Sequence, residues 1–274
     1  MPLLSVEKLT KSFGGLTAVS SVTMHIDKGE LVGLIGPNGA GKTTLFNLLT
    51  GVYEPTSGSI KLHLPQEEQD KDGKVKTKVI TKELGGLKPY NVTKAGLART
   101  FQNIRLFKDL TVLDNVRIAM HQNIRYRLPS AFLHLNKFHN EEDRLVEEAE
   151  KLLDIFKLSH KKEELAKNLP YGEQRHLEIA RALATKPVIL LLDEPAAGMN
   201  PNETAELTET IEWIRKEFDL TILLIEHDMS LVMKICERIY VLDYGMLIAS
   251  GKPAEIRTNK RVIEAYLGEE VSNA

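Results

Sequence analysis

The run Gly36-Pro37-Asn38-Gly39-Ala40-Gly41-Lys42-Thr43 constrains this chain more than any other stretch, because its glycines, lysine and hydroxyl residue fall at the spacing of a phosphate-binding loop. Successive backbone N–H groups have to wrap the phosphates, and only a glycine-rich turn allows this without Cβ clashes. The preceding Leu31-Val32-Gly33-Leu34-Ile35 reads as a buried strand. The following Thr43-Thr44-Leu45-Phe46-Asn47-Leu48-Leu49-Thr50 reads as a helix whose positive end faces the phosphates. Strand, glycine turn and helix in that order are the context the motif requires. The expected nucleotide contacts are Gly36, Pro37, Asn38, Gly39, Ala40, Gly41, Lys42, Thr43 and Thr44, with Lys42 as a point charge on the phosphates and Thr43 as a Mg²⁺ ligand.

Two further apolar runs deliver polar residues to the same place. Val188-Ile189-Leu190-Leu191-Leu192 reads as a strand buried on both faces and ends at Asp193-Glu194-Pro195. Leu220-Thr221-Ile222-Leu223-Leu224-Ile225 ends at Glu226-His227-Asp228. In open parallel sheets ligands sit beyond the carboxyl ends of the strands, so all these groups can reach one nucleotide. Asp193 is expected to hold Mg²⁺ through water, Glu194 to polarise the attacking water, and His227 to reach the γ-phosphate. A lone histidine after a strand is more often structural, and it is the surrounding pattern that favours the catalytic reading.

The length of 274 residues suits one or two compact units. A net charge of −2, with both signs mixed along the chain, gives no nucleic-acid footprint. The single cysteine, Cys236, lies in an apolar setting and reads as a buried small hydrophobe in a reducing compartment. No apolar run is long enough to span a membrane and the first residues lack a signal-peptide pattern, so any membrane association is expected to come through partners.

Taken together, these residues resemble the ATP-binding subunits of ABC transporters, over nearly the whole chain. The resemblance implies an α/β P-loop NTPase with an antiparallel β-subdomain and a helical subdomain. It implies that Phe13, in Lys11-Ser12-Phe13-Gly14-Gly15, stacks on adenine; a core phenylalanine is the alternative. It implies that Gln102 contacts Mg²⁺ and links the site to membrane subunits. The family's signature falls at Leu169-Pro170-Tyr171-Gly172-Glu173, followed by a helical run to Leu183. Here the usual leucine-serine-glycine-glycine-glutamine has lost its serine hydroxyl. A hydrogen bond to a charged partner is worth roughly 1.5–3 kcal/mol, so a closed state is expected to be weakened unless Tyr171 or a backbone amide substitutes. Pro170 is expected to be tolerated in the helix's first turn. Tyr171, Gly172 and Glu173 of one subunit would serve the ATP of the other in a head-to-tail dimer. Asn200, in Ala197-Gly198-Met199-Asn200-Pro201, stands in the family's dimer-contact loop, where aspartate is commoner.

The same resemblance organises the rest of the chain as a single ATP-binding domain, 1–274. Residues 1–102 and 181–250 are expected to form the ATPase core with its antiparallel strands, 103–180 the helical subdomain, and 251–274 a C-terminal helical extension. Leu3 to about Lys28 and Gly58 to Leu64 are expected to be antiparallel strands, and the charged stretch Gln66 to Pro89 an exposed loop or hairpin. Asn140-Glu141-Glu142-Asp143 is expected to cap and open a helix running to Phe156. Arg105-Leu106-Phe107 and Tyr126 to Phe132 are expected either to line a contact with membrane subunits or to pack in the core.

The tyrosine-glycine-glutamate signature, the loop Ala196 to Pro201 and the ending Val262-Ile263-Glu264-Ala265-Tyr266-Leu267-Gly268-Glu269 look like the family's branched-chain amino-acid group, and the long insert after Gln102 like the larger of its two ATP-binding subunits. That implies import of leucine, isoleucine and valine. The implied partners are a second ATPase subunit, two transmembrane permeases and, indirectly, an extracytoplasmic binding protein, with this chain at the cytoplasmic face of the membrane. Another cargo, such as urea, another amide or an exported lipid-linked substrate, and a non-transport role on DNA or ribosomes, are the alternatives.

Overall fold

A computed structural model describes residues 2–69, 75–123 and 136–272. Among the described residues ten strands form two sheets. The chain opens with β1 (Leu4–Phe13) and β2 (Leu16–Ile26), paired antiparallel, and β3 (Leu31–Ile35), buried along its whole length. Helix α1 (Lys42–Leu49) follows the glycine loop. β4 (Ser57–Gln69) and β5 (Val75–Glu83) pair antiparallel from Lys61 with Glu83 to Gln69 with Val75, so the described part of the charged stretch lies largely in two paired strands. Next come α2 (Pro89–Ala95), β6 (Leu97–Arg99), α3 (Val112–Met120), α4 (Asn136–Ile155) and α5 (Tyr171–Leu183). The last third alternates β7 (Ile189–Asp193), α6 (Pro201–Glu217), β8 (Thr221–Ile225) and α7 (Met229–Ile235). It closes with β9 (Arg238–Asp243), β10 (Met246–Gly251), α8 (Pro253–Arg257) and α9 (Lys260–Ser272).

The smaller sheet has the order β2-β1-β4-β5, and the larger β10-β9-β3-β8-β7-β6. In the larger sheet β9, β3, β8, β7 and β6 run parallel, and β10 turns back antiparallel on β9. A parallel sheet is covered on both faces, and the two hydrophobic clusters show what covers it. Leu190, Leu192, Ile222 and Leu224 pack with residues of α3 to α7. Their alternates Ile189, Leu191, Leu223 and Ile225 pack with α1 and the antiparallel sheet. Two buried faces explain why these strands read as unbroken apolar runs, since each fully buried Leu or Ile side chain contributes about 1.5–3 kcal/mol.

Register carries the architecture to the site. Ile225, the last residue of β8, pairs with Leu34 on one side and with Asp193 on the other. The residues after β3, β7 and β8 therefore emerge at the same level of the same sheet edge.

Three expectations are corrected. Helix α4 begins at Asn136, so Asn140 lies within its second turn and is not its cap. Pro170 is the N-cap of α5, one position before its first turn; its φ of −53° and ψ of 155° place it just outside the helix. Helix α1 begins at Lys42 rather than Thr43. The stretch Tyr126 to Phe132 lies outside the described residues. Among the described residues no helix is long and apolar enough to cross a membrane.

Candidate nucleotide-binding and hydrolysis site

The glycine loop joins β3 to α1. Gly36 and Gly41 take φ values of 153° and 100°, and a Cβ at Gly41 would lie 2.5 Å from the Ala18 carbonyl. A side chain at Gly41 would both strain the backbone and push the loop off β2. Gly41 N-caps α1 without a side-chain cap, so the first-turn N–H groups face the loop's mouth. Lys42 is 7% exposed, and its Nζ donates to Gly36 O at 2.6 Å and Pro37 O at 2.9 Å. A lysine fixed to a glycine loop at a helix N-terminus is an anion-binding arrangement. Thr43 is exposed at the loop's rim, beside the half-buried Thr44.

Beyond β7, Asp193 and Glu194 take separate environments, as adjacent residues at a strand end do. The Asp193 side chain is buried and pairs through Oδ2 with Arg99 Nη2 at 2.5 Å. Arg99 also donates from Nη1 to Asn47 Oδ1 at 2.6 Å and Thr50 Oγ1 at 3.3 Å, which ties β6 and β7 to the end of α1. Glu194 turns out of the strand with φ 48°, a left-handed conformation uncommon for a non-glycine residue. Its N–H donates to Ile225 O at 2.9 Å, which holds that turn against β8. The turn aims the carboxylate at two partners: Gln102 Nε2 donates to Glu194 Oε2 at 2.7 Å, and His227 Nε2 lies 2.8 Å from Glu194 Oε1. The His227 side chain is half exposed.

Underneath lies Glu226, 4% exposed. Its Oε1 accepts from Ala196 N at 2.7 Å and its Oε2 from His227 N at 3.1 Å, so one carboxylate fastens the loop after β7 to the loop after β8. Burial raises its pKa, aided by the nearby Glu194 charge, against the backbone N–H groups that lower it. Burial likewise drives the Cys236 thiol up to about 12, in keeping with a packing role.

The structure thus brings Lys42, Thr43, Asp193, Glu194, Gln102 and His227 to one sheet edge. Phe13 is 43% exposed and meets Tyr53 edge-on at 5.2 Å, with Lys11 Nζ 5.0 Å from its ring centroid. It is therefore an exposed ring and not a core residue. The signature residues and Asn200 are engaged elsewhere in the chain. Tyr171 is 45% exposed and its hydroxyl accepts from Arg175 Nη2 at 3.3 Å, which leaves its own O–H free to donate. Gly172 lies beside Glu203 of α6. Glu173 pairs with Lys161 at 2.7 Å. Asn200 caps α6, accepting from Asn202 N at 2.9 Å and Glu203 N at 3.0 Å. Arg99 and Glu226 carry no motif of their own, and their roles become visible only once distant elements are folded together. The nearest signal was position, each standing at the carboxyl end of a strand.

The candidate Mg²⁺ ligands fit a hard cation, which takes oxygen donors. Thr43 offers its hydroxyl, Asp193 the oxygen that Arg99 leaves free, and Gln102 its carbonyl, because its amide N–H₂ is the end engaged by Glu194.

Comparison with known proteins follows the same lines. A family described as "ABC transporter" matches residues 19–197, and one described as "Branched-chain amino acid ATP-binding cassette transporter" matches residues 246–272. The chain is 46% identical over 268 residues to the high-affinity branched-chain amino acid transport ATP-binding protein LivG of Salmonella typhimurium, covering 98% of each. It is 44% identical over 268 residues to BraF of Pseudomonas aeruginosa, described in the same words, again covering 98% of each. Among solved structures, the ADP conformation of MJ1267, an ATP-binding cassette of an ABC transporter, superposes with a TM-score of 0.79 at 30% identity, covering 98% of this chain and 99% of that one.

Proposed function

Because this chain belongs to the ABC transporter family, we propose that it is the ATP-hydrolysing subunit of a branched-chain amino acid importer, with its catalytic roles divided among the residues gathered at the sheet edge. The observation that carries the catalytic reading is the Glu194 carboxylate, held on one oxygen by Gln102 and on the other by His227, at the edge where the phosphate loop opens. The cargo reading rests on likeness to LivG and BraF along nearly the full chain and on the C-terminal match. The chain works within a membrane-associated transport complex, on its cytoplasmic face, with a second ATPase subunit and permeases.

The loop N–H groups and Lys42 bind the phosphates, and Phe13 receives the adenine on its exposed face. Thr43, Gln102 and, through water, Asp193 would hold Mg²⁺, which would supply charge neutralisation on the phosphates. Glu194 accepts the proton of the attacking water. Each of its oxygens carries one partner and keeps a second lone pair for a water, and departure of His227 from Oε1 widens that access. His227, half exposed, is the group able to swing from Glu194 to the γ-phosphate, and this couples recognition of the phosphate to release of the base. The remaining barrier reduction is positional and electrostatic. Tyr171, Gly172, Glu173 and the loop at Asn200 serve the facing subunit. Pro170 brings no capping side chain, so the first-turn N–H groups of α5 remain available to an anion.

The test is uptake of labelled leucine by cells lacking this chain, complemented with the wild type or with Lys42→Ala. Rescue by the wild type alone is expected; leucine uptake indifferent to the chain, with no redundant importer present, overturns the cargo.

A further inference from the structure

Arg175, in the second turn of α5, is fully buried, and its guanidinium is spent on the segment that carries Gln102. Nη1 donates to the Phe101 carbonyl at 2.6 Å and to Glu178 Oε2 at 2.8 Å, and Nη2 donates to the Gln102 carbonyl at 2.8 Å. Glu178, 1% exposed, completes the arrangement by accepting the Arg105 N–H on Oε1 at 3.0 Å. Residues 101–105 have neither helical nor strand hydrogen bonding. A segment of that kind owes its shape to whatever satisfies its backbone groups, and here that is one ion pair on α5. The other hand of Nη2 reaches the Tyr171 hydroxyl at the helix's first residue.

We propose that Arg175 and Glu178 are positioning residues for Gln102, locking the backbone of residues 101–105 to α5, so that the Gln102 side chain meets Glu194 only while α5 holds its place. A buried ion pair is a poor source of stability compared with apolar side chains of the same volume, whereas it specifies geometry well when its donors are spread over particular acceptors. Three acceptors on three residues beyond its own ion-pair mate would be an odd use of a purely stabilising arginine; two backbone carbonyls on consecutive residues are what a planar, forked donor group matches and an ammonium does not. The consequence is mechanical. Any shift of α5, whose first turn faces the neighbouring subunit in the reading above, is delivered to Gln102 through two carbonyls and one N–H. The inference rests on Gln102 acting at the hydrolytic site.

Steady-state ATP hydrolysis by the purified full chain tests it, with wild type, Arg175→Lys, Gln102→Ala and the double variant. Lysine keeps the charge beside Glu178 but cannot span both carbonyls. Arg175→Lys is expected to lower kcat roughly tenfold with KM for ATP within about twofold, since the phosphate loop is untouched. If Arg175 acts through Gln102, the double variant is no slower than Gln102→Ala alone, whereas independent roles multiply the two losses. Multiplied losses, or a rise in KM accompanied by a lower Tm, overturn the proposal and leave the reading of Gln102 standing. Full activity in Gln102→Ala overturns that reading, and the proposal with it. Should Arg175→Lys fold poorly, Glu178→Gln keeps the acceptor for Arg105 N–H while removing the counter-charge. The same loss in kcat without a change in KM, again absent on the Gln102→Ala background, is expected of it.

Discussion

Glu226 is a carboxylate with almost no access to water, and its two oxygens accept main-chain N–H groups from the loops after β7 and β8. Desolvation raises its pKa, so the native state holds that proton more tightly than the unfolded chain does. The stabilisation this gives is complete below the ordinary glutamate pKa and is lost as pH rises through the raised folded value. Glu226→Gln keeps an oxygen acceptor and removes the titration. Its Tm is therefore expected to gain on that of the wild type as pH climbs from the ordinary glutamate range to neutrality, read by thermal melts across a pH series. Equal pH slopes would show that Glu226 stays ionised at no cost. Lys42, Asp193 and Glu194 were legible from the chain as written, because each stands in a motif whose spacing states its chemistry. Glu226 stands beside a motif histidine and was indistinguishable from a loop acid until the fold buried it.

Helix α6 shows how an element's start is written locally. Asn200 accepts from the N–H groups of Asn202 and Glu203, the Glu203 carboxylate returns to the Asn200 N–H at 2.9 Å, and Pro201 supplies a preset φ at the first helical position. Asparagine and aspartate are about equally good in that position, so the exchange of the family's commoner aspartate for Asn200 leaves the cap intact. Asn200→Ala is expected to cost about 1 kcal/mol, seen as a lower denaturant midpoint at unchanged slope, while Asn200→Asp is expected to be neutral. A loss confined to activity would move Asn200 from capping to the subunit contact. The start of α4 had no such legibility. Asn140 has the composition of a cap, but the helix extends four residues further back to Asn136, because a capping residue type is only a weak preference that tertiary context overrides.

The larger sheet is sandwiched between an antiparallel layer and a layer of helices, with the proposed hydrolytic groups at one edge and the signature residues on the helical side. On the proposed reading a facing subunit completes a site split in this way, so arresting hydrolysis is expected to prolong that pairing. Glu194→Gln, which keeps the shape but removes the base, is expected to retain ATP binding, lose turnover and run as a dimer in ATP during size-exclusion chromatography. A variant that stays monomeric with wild-type turnover would remove Glu194 from the role. Pro170 in place of the signature serine is expected to make that dimer shorter-lived than one with the usual hydroxyl, through the single lost donor.

The phosphate loop, the three buried strands and the polar residues that end them were settled by residue order alone, since glycine spacing and apolar run length are local properties that survive any tertiary context. Folding decided which side chains face one another across long stretches of chain. Arg99 finds Asp193, Arg175 finds the carbonyls of Phe101 and Gln102, and Glu226 finds Ala196. Those contacts depend on strand order and register, which place β6 beside β7 and both β3 and β7 beside β8, and no short-range pattern in a sequence encodes which strand will be another's neighbour.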